Sequence, residues 1–331
     1  MNVRRFGPEW FAVVLGTLAV SMNSLRLSVL CDCLRYVGWL FFYLGLLALV
    51  VLGSLWTIRL FSNPSVVKED FLNVIRLSFV PVLPLSITVL LTINYLYDFA
   101  SFPEPLYYWL YYAIYVSQFV ASIALGVRLL LLDVDPNSIT YAILIPPVSV
   151  LSISFLGIPL REYFLTAIAT GVGVLLFLFL GSVALTLHVR EAKTLARLSS
   201  SIMPAGVSSI VALSLLGLAG GGLLSASSAR LIGLTLVGFE TWNFFVTLVV
   251  AGASFHRLRR EPLLLWALTF PVSVYSSASL GLYYAYRQPL FLWLSFMAYA
   301  TLLVFWVTAT TLTVDLLVAP SVLAPPSRAS E

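Results

Sequence analysis

The residues whose types and spacing suggest chemistry are hydroxyls set along apolar stretches. Thr17, Ser21, Ser24 and Ser28 stand at i, i+4, i+7 and i+11, on one face of a helix. Ser149 and Ser152 follow the pair Pro146 and Pro147, Ser208 and Ser209 follow Pro204, and Ser273 and Ser277 follow Pro271. Hydroxyls, together with backbone groups freed at a proline, can replace part of an ion's hydration shell, so the chemistry on offer is ion passage. The pattern also suits close helix packing, and other stretches carry hydroxyls such as Thr166 and Thr308. Bond-making chemistry has no comparable signal. There is no GxxxxGK[ST], no HExxH, no dinucleotide fingerprint and no plausible triad. Cys31 and Cys33 are too few for a disulfide framework or a closed metal site, and His188 and His256 stand apart beside basic loops. No catalytic residue, metal or cofactor is expected.

One stretch sharpens the reading. Trp266–Val272 (WALTFPV) lies inside an uncharged run from Pro262 to Tyr286, long enough to cross a bilayer. Pro271 cannot donate a backbone hydrogen bond and its ring clashes one turn back, so a kink is expected there. Phe270 stands at the kink and shares a helix face with Trp266, Ser273 and Ser277. An aromatic at the bend of a membrane helix suits a gated path. The plainer alternative is a kinked helix packed among others.

These residues need a membrane-spanning scaffold, and the composition supplies it. The 331 residues are 60% hydrophobic and 10% charged, with a mean hydropathy of +1.01. Ordinary soluble domains are not built this way. The net charge of +4 does not point to nucleic acid, because in such a chain the placement of basic residues matters more than their sum. Ten spans are expected, over 9–29, 36–59, 73–97, 106–131, 139–157, 163–187, 202–223, 231–254, 263–286 and 290–317. The start resembles a signal peptide, but its apolar run is too long, so it reads as an uncleaved first helix. Residues 1–318 form one transmembrane domain, and 319–331, with Pro320, Pro325 and Pro326, read as a disordered tail. Of the 18 Lys and Arg, 13 fall at the termini and after even spans and 5 after odd spans. The positive-inside rule then places both termini in the cytoplasm of a cell-membrane protein.

The prolines carry a second pattern. Pro81, Pro84, Pro146, Pro147, Pro204 and Pro271 fall inside the third, fifth, seventh and ninth spans, and none lies inside an even span. Gly16 holds the comparable place in the first. From Gly16 through Pro81, Pro146 and Pro204 to Pro271 the intervals are 65, 65, 58 and 67 residues. This describes five helical hairpins, each a broken helix followed by a plain one. A broken helix leaves backbone groups that lipid cannot satisfy, so the odd helices belong inside, as a ring around a central pore. A packed bundle whose prolines only set kinks is the alternative. Without acidic rings a cation path is disfavoured, and without Arg or Lys at mid-depth an anion binds weakly, which suits rapid conduction. Arg26, Arg76 and Asp315 lie near span ends and are expected to snorkel or pair. Glu240, within an even span, is either a structural residue or a proton-coupling site.

Four stretches are similar to motifs of the tellurite-resistance/dicarboxylate transporter family, which includes plant slow anion channels, fungal malate permeases and sulfite exporters. Pro8–Thr17 (PEWFAVVLGT) resembles its opening Pro-x-Trp-Phe…Gly-Thr-Gly, and Ile139–Val148 (ITYAILIPPV) its fifth-helix Pro-Pro-Val-Gly. Ile202–Gly206 (IMPAG) resembles the seventh-helix proline motif, and Trp266–Val272 its ninth-helix Trp-Trp-Ala-Phe-Thr-Phe-Pro. Leu18 and Ser149 replace family glycines, and Lys68, Glu69 and Asp70 stand where a His-Pro is common. The resemblance implies ten helices in five hairpins and a homotrimer with one pore per subunit. It also implies an aromatic plug, which by motif is Phe270, with Gly16 as the small residue packed near it. The ligands it implies are small inorganic or organic anions. Two functions follow: an anion channel, or a proton-coupled carrier or exporter of a small acid such as malate or sulfite. The scarcity of protonatable groups in the odd spans favours the channel.

Overall fold

The structure, a computed structural model, describes residues 6–131, 133–191 and 194–318. The proline-rich tail lies outside these residues. Long apolar runs must satisfy their backbone internally once in lipid, and helices do so within one segment. In chain order, the 3₁₀ turn Pro8–Trp10 leads into α1 (Phe11–Leu27), followed by α2 (Cys33–Ser62) and a short α3 (Pro64–Leu72). The third span is split into α4 (Val74–Phe79) and α5 (Val82–Tyr97), and α6 (Glu104–Leu131) follows. The fifth begins with the 3₁₀ turn Tyr141–Leu144 and continues as α7 (Ile145–Ser152) and α8 (Ser154–Gly157), and then comes α9 (Tyr163–Arg190). α10 (Leu195–Ser199) and the 3₁₀ turn Ser200–Ile202 lead into α11 (Met203–Gly220), which is followed by α12 (Ala226–Leu258). Finally α13 (Pro262–Leu265) and the 3₁₀ turn Trp266–Leu268 precede α14 (Thr269–Tyr286) and α15 (Pro289–Val318).

Among the described residues, nine helical segments are long and apolar enough to cross a membrane, and Tyr141–Gly157 is a shorter apolar one. Burial alternates along them. The segments Pro8–Leu27, Val74–Tyr97, Arg197–Gly220 and Pro262–Tyr286 are between 61% and 89% buried, whereas α2, α6, α9, α12 and α15 are between 22% and 33% buried. The second group turns large apolar side chains outward, among them Trp109, Phe179, Trp242 and Trp293, as lipid contact requires.

The prolines do not kink continuous helices. Pro146 and Pro147 stand in the first turn of α7, Pro204 in that of α11 and Pro271 in that of α14. Pro81 caps α5, and Pro84 is that helix's third residue. The expected kinks are therefore restarts. The first N–H groups of a helix have no partner within it, so proline loses nothing there. Gly16 is different, because α1 runs unbroken through it. The break in the first span comes earlier, at Pro8–Trp10.

The turns after the more buried segments share a feature. The residues with positive φ among those described are Asp98, Arg161, Gly222 and Arg287. Each sits at the end of a buried segment, where the chain reverses toward a plain helix. A left-handed residue at this position closes the last helical turn, and here three of the four are not glycine.

Candidate functional site

The stripe of α1 that faces the middle of the bundle is Ala12, Leu15, Ala19, Met22 and Arg26. These residues line two small cavities on either side of Phe270. One, of about 30 Å³, is walled by Ala12, Leu15, Phe79, Val82, Leu85, Ile145, Val148, Met203, Trp266, Ala267, Phe270 and Pro271. The other, of about 10 Å³, is walled by Ala19, Met22, Arg26, Val89, Phe155, Phe270, Ser273, Val274 and Ser277. Every wall residue comes from a broken segment or from α1. Phe270 is the only residue common to both cavities. Its ring is 6% exposed and meets the Phe155 ring edge-on, with centroids 6.4 Å apart. Cavities of this size hold about one water or none.

The backbone around Phe270 is held by two close approaches. A Cβ on Gly16 would collide with Thr269 Oγ1 and lie 2.8 Å from the Trp266 ring. A Cβ on Gly206 would lie 3.1 Å from Pro271 Cβ. Glycine at these two places lets α1 and α11 press on the residues flanking Phe270. Trp266 is pinned from outside by a hydrogen bond from its Nε1 to Thr313 Oγ1 of α15, at 3.0 Å.

The smaller cavity has a polar wall, organised by a residue the hydroxyl pattern did not single out. Asn23 donates to Ser273 Oγ and to the Ala19 carbonyl, and Ser277 donates to Asn23 Oδ1 at 3.1 Å. Ser273 in turn donates to the Ala19 carbonyl at 3.3 Å. Asn23 was recognisable as an amide within an apolar helix, four residues beyond Ala19. Arg26, expected to snorkel or pair at the interface, instead lines this cavity. The larger cavity has no charged side chain in its wall.

Of the other residues singled out, most lie away from the cavities. Thr17 accepts from Trp306 Nε1 at 3.1 Å, Ser21 donates to the Gly38 carbonyl at 2.8 Å, and Ser24 pairs with the Tyr299 hydroxyl. That hydroxyl row therefore faces α2 and α15. Ser149 donates to the Pro81 carbonyl at 3.3 Å, which also accepts from the Leu85 N–H, so a hydroxyl of one broken segment ties it to another. Ser208 bonds back to the Ala205 carbonyl at 2.9 Å. Pro81, Pro84, Pro146, Pro147 and Pro204 set the helix restarts and line neither cavity. Of the residues singled out, Phe270, Pro271, Ser273 and Ser277 line the two cavities.

Two charged features lie off the path. Arg59 is fully buried and pairs with Asp70, whose other carboxylate oxygen accepts from Arg76 Nη1 at 2.9 Å. Glu240 is also fully buried on α12, with neither carboxylate oxygen hydrogen-bonded. It lines neither cavity. Among the described residues no three His, Cys, Asp or Glu side chains converge as metal ligands would.

Long apolar spans that turn large hydrophobic side chains outward describe a multi-pass membrane protein. The chain belongs to the voltage-dependent anion channel family, whose sequence profile matches residues 5–314. This agrees with the motif resemblance, and membership implies anion transport across a membrane. The chain is also similar to an uncharacterized transporter of Methanocaldococcus jannaschii, with 28% identity over 88 residues. That match covers 27% of this chain and 26% of the relative, so the chain spans about a quarter of that relative's length.

Proposed function

We propose that the protein is a membrane anion channel, closed in this conformation by the side chain of Phe270. The observation that carries the reading is that one aromatic side chain is common to the walls of two small cavities. Their walls come wholly from the broken segments and α1. On this reading the molecule has ten spans in five hairpins, with Tyr141–Gly157 as the short fifth span. The alternation of burial and the four left-handed turn residues support that repeat. The segments of α1, α4–α5, α7–α8, α11 and α14 form the inner ring, and α2, α6, α9, α12 and α15 surround it. Both termini lie in the cytoplasm, in keeping with the distribution of basic residues. Three copies assemble in the plasma membrane, each with its own pore, as the family resemblance implies.

The test is anion flux into liposomes carrying the wild type or Phe270→Ala. Flux that rises at least tenfold with the smaller side chain supports the plug. One observation favours a second reading, a proton-coupled carrier. Glu240 is buried with no partner for its carboxylate, as a proton-binding group would be. Its distance from the cavity walls supports the channel instead.

A further inference from the structure

We propose that Arg26 forms a docking site for one small monovalent anion, on the Ser273 and Ser277 side of Phe270. The inference rests on the channel reading and adds to it the charge class of the permeant ion. Three ion pairs form among the described residues: Arg35 with Asp32, and Arg59 and Arg76 with Asp70. Arg26 belongs to none of them. The ionisable side chain beside it is Tyr97, a phenol rather than a carboxylate. A charge in a membrane segment persists where it faces the protein interior or a water-filled cavity, and such charges are functional candidates along substrate and ion pathways. The guanidinium suits this place, since its donors are fixed in a fork and it is weakly hydrated.

The neighbouring polar groups narrow the ligand. Ser273 and Ser277 direct their protons to the Ala19 carbonyl and to Asn23 Oδ1. The Asn23 amide is committed to Ser273 and Ala19. These three residues bind one another, so Arg26 supplies the charge and the free donors. At the same end of the bundle, Arg287 is exposed and lies over the Tyr283 and Tyr284 rings. Arg287 does not line the cavity, so Arg26 is the one cation in its wall, and one cation matches one negative charge. The second carboxylate of a dicarboxylate would meet Val89 and Phe155 with nothing to compensate it. Chloride or nitrate would leave no charge unmatched.

The test uses the full chain in liposomes on the Phe270→Ala background, so that the plug does not mask docking. Chloride, nitrate and malate flux is compared for Arg26, Arg26→Lys and Arg26→Gln at constant ionic strength. Arg26→Gln should raise the half-saturating chloride concentration about tenfold and lower the chloride-to-malate flux ratio. Arg26→Lys should stay within about threefold of the parent. Thermal unfolding in chloride against gluconate gives a readout independent of conduction, and stabilisation by chloride should vanish in Arg26→Gln. A folded Arg26→Gln protein that conducts strongly and keeps both properties overturns the docking site and leaves the channel reading standing. If no anion passes yet chloride stabilisation is lost in Arg26→Gln, the docking site stands and the channel reading fails.

Discussion

Replacing Phe270 by alanine separates a plug from a packing residue. The ring is 6% exposed and divides cavities of about 10 and 30 Å³. Its removal joins them into one opening that runs from Trp266 to Arg26. If the ring is the barrier, conductance should rise tenfold or more, equivalent to lowering the barrier by about 1.4 kcal/mol. The edge contact with Phe155 gives a scale for the closed state in the wild type. Such aromatic pairs contribute about 0.5–1.5 kcal/mol beyond burial, enough to favour closure roughly twofold to tenfold. Other burial around the ring adds to this. As a packing residue alone, Phe270→Ala would cost about 3–5 kcal/mol of stability and open nothing. Liposome flux and single-channel recording on wild type, Phe270→Leu and Phe270→Ala, alongside thermal unfolding, tell the two apart. Conductance should increase as the side chain shrinks. A stable Phe270→Ala protein with unchanged or lower conductance would refute the gate.

Asp70→Ala should destabilise the protein by about 3–5 kcal/mol, because Arg59 would be left buried without its counter-charge; thermal unfolding in detergent measures this, and a loss below about 1 kcal/mol would contradict it. Glu240→Gln should leave anion flux within about threefold, a barrier change of under roughly 1 kcal/mol, and abolished flux in a folded protein would move the balance to proton coupling. A protease tag placed after Glu331 should be cut in inverted vesicles and protected in spheroplasts, and the reverse pattern would refute the proposed topology.

The sequence revealed which segments are buried more readily than how they are broken. Proline placement marked four of the buried segments because lipid penalises unsatisfied backbone, a constraint that acts on the sequence itself. It did not distinguish a kink from a restart. At Pro146, Pro204 and Pro271 that depends on a 3₁₀ turn before the proline, and residues such as Trp266, Ala267 and Leu268 carry no local signal for one. Gly16 fitted the spacing of the breaks, yet it is a contact glycine in a continuous helix. Its role depends on Thr269 and Trp266, some 250 residues away in the chain. The hydroxyl row on α1 was legible as a helix face, but the side to which that face turned was not. Thr17, Ser21 and Ser24 are taken up by α2 and α15, and the path stripe runs through Ala12, Leu15, Ala19, Met22 and Arg26 instead. Arg161 and Arg287 in left-handed turns were likewise unreadable, since local propensity would place glycine there.

The same hydrogen bonds bear on how a channel of this design would open. The Pro81 carbonyl accepts from the Leu85 N–H and from Ser149, and the Ala19 carbonyl, inside the continuous α1, accepts from Ser273 and Asn23. On the channel reading the path is lined largely by apolar side chains, with Arg26 at one end. Gly16 and Gly206 allow neighbouring helices to bear directly on Thr269 and Pro271, the residues either side of Phe270. A large shift of α14 would have to break both contacts, together with the anchor from Trp266 to Thr313. Rotation of the Phe270 ring leaves those three contacts in place, though it must part the ring from Phe155 and its other buried neighbours. On the channel reading, the element that moves is the side chain, and the helices around it serve to hold its backbone still.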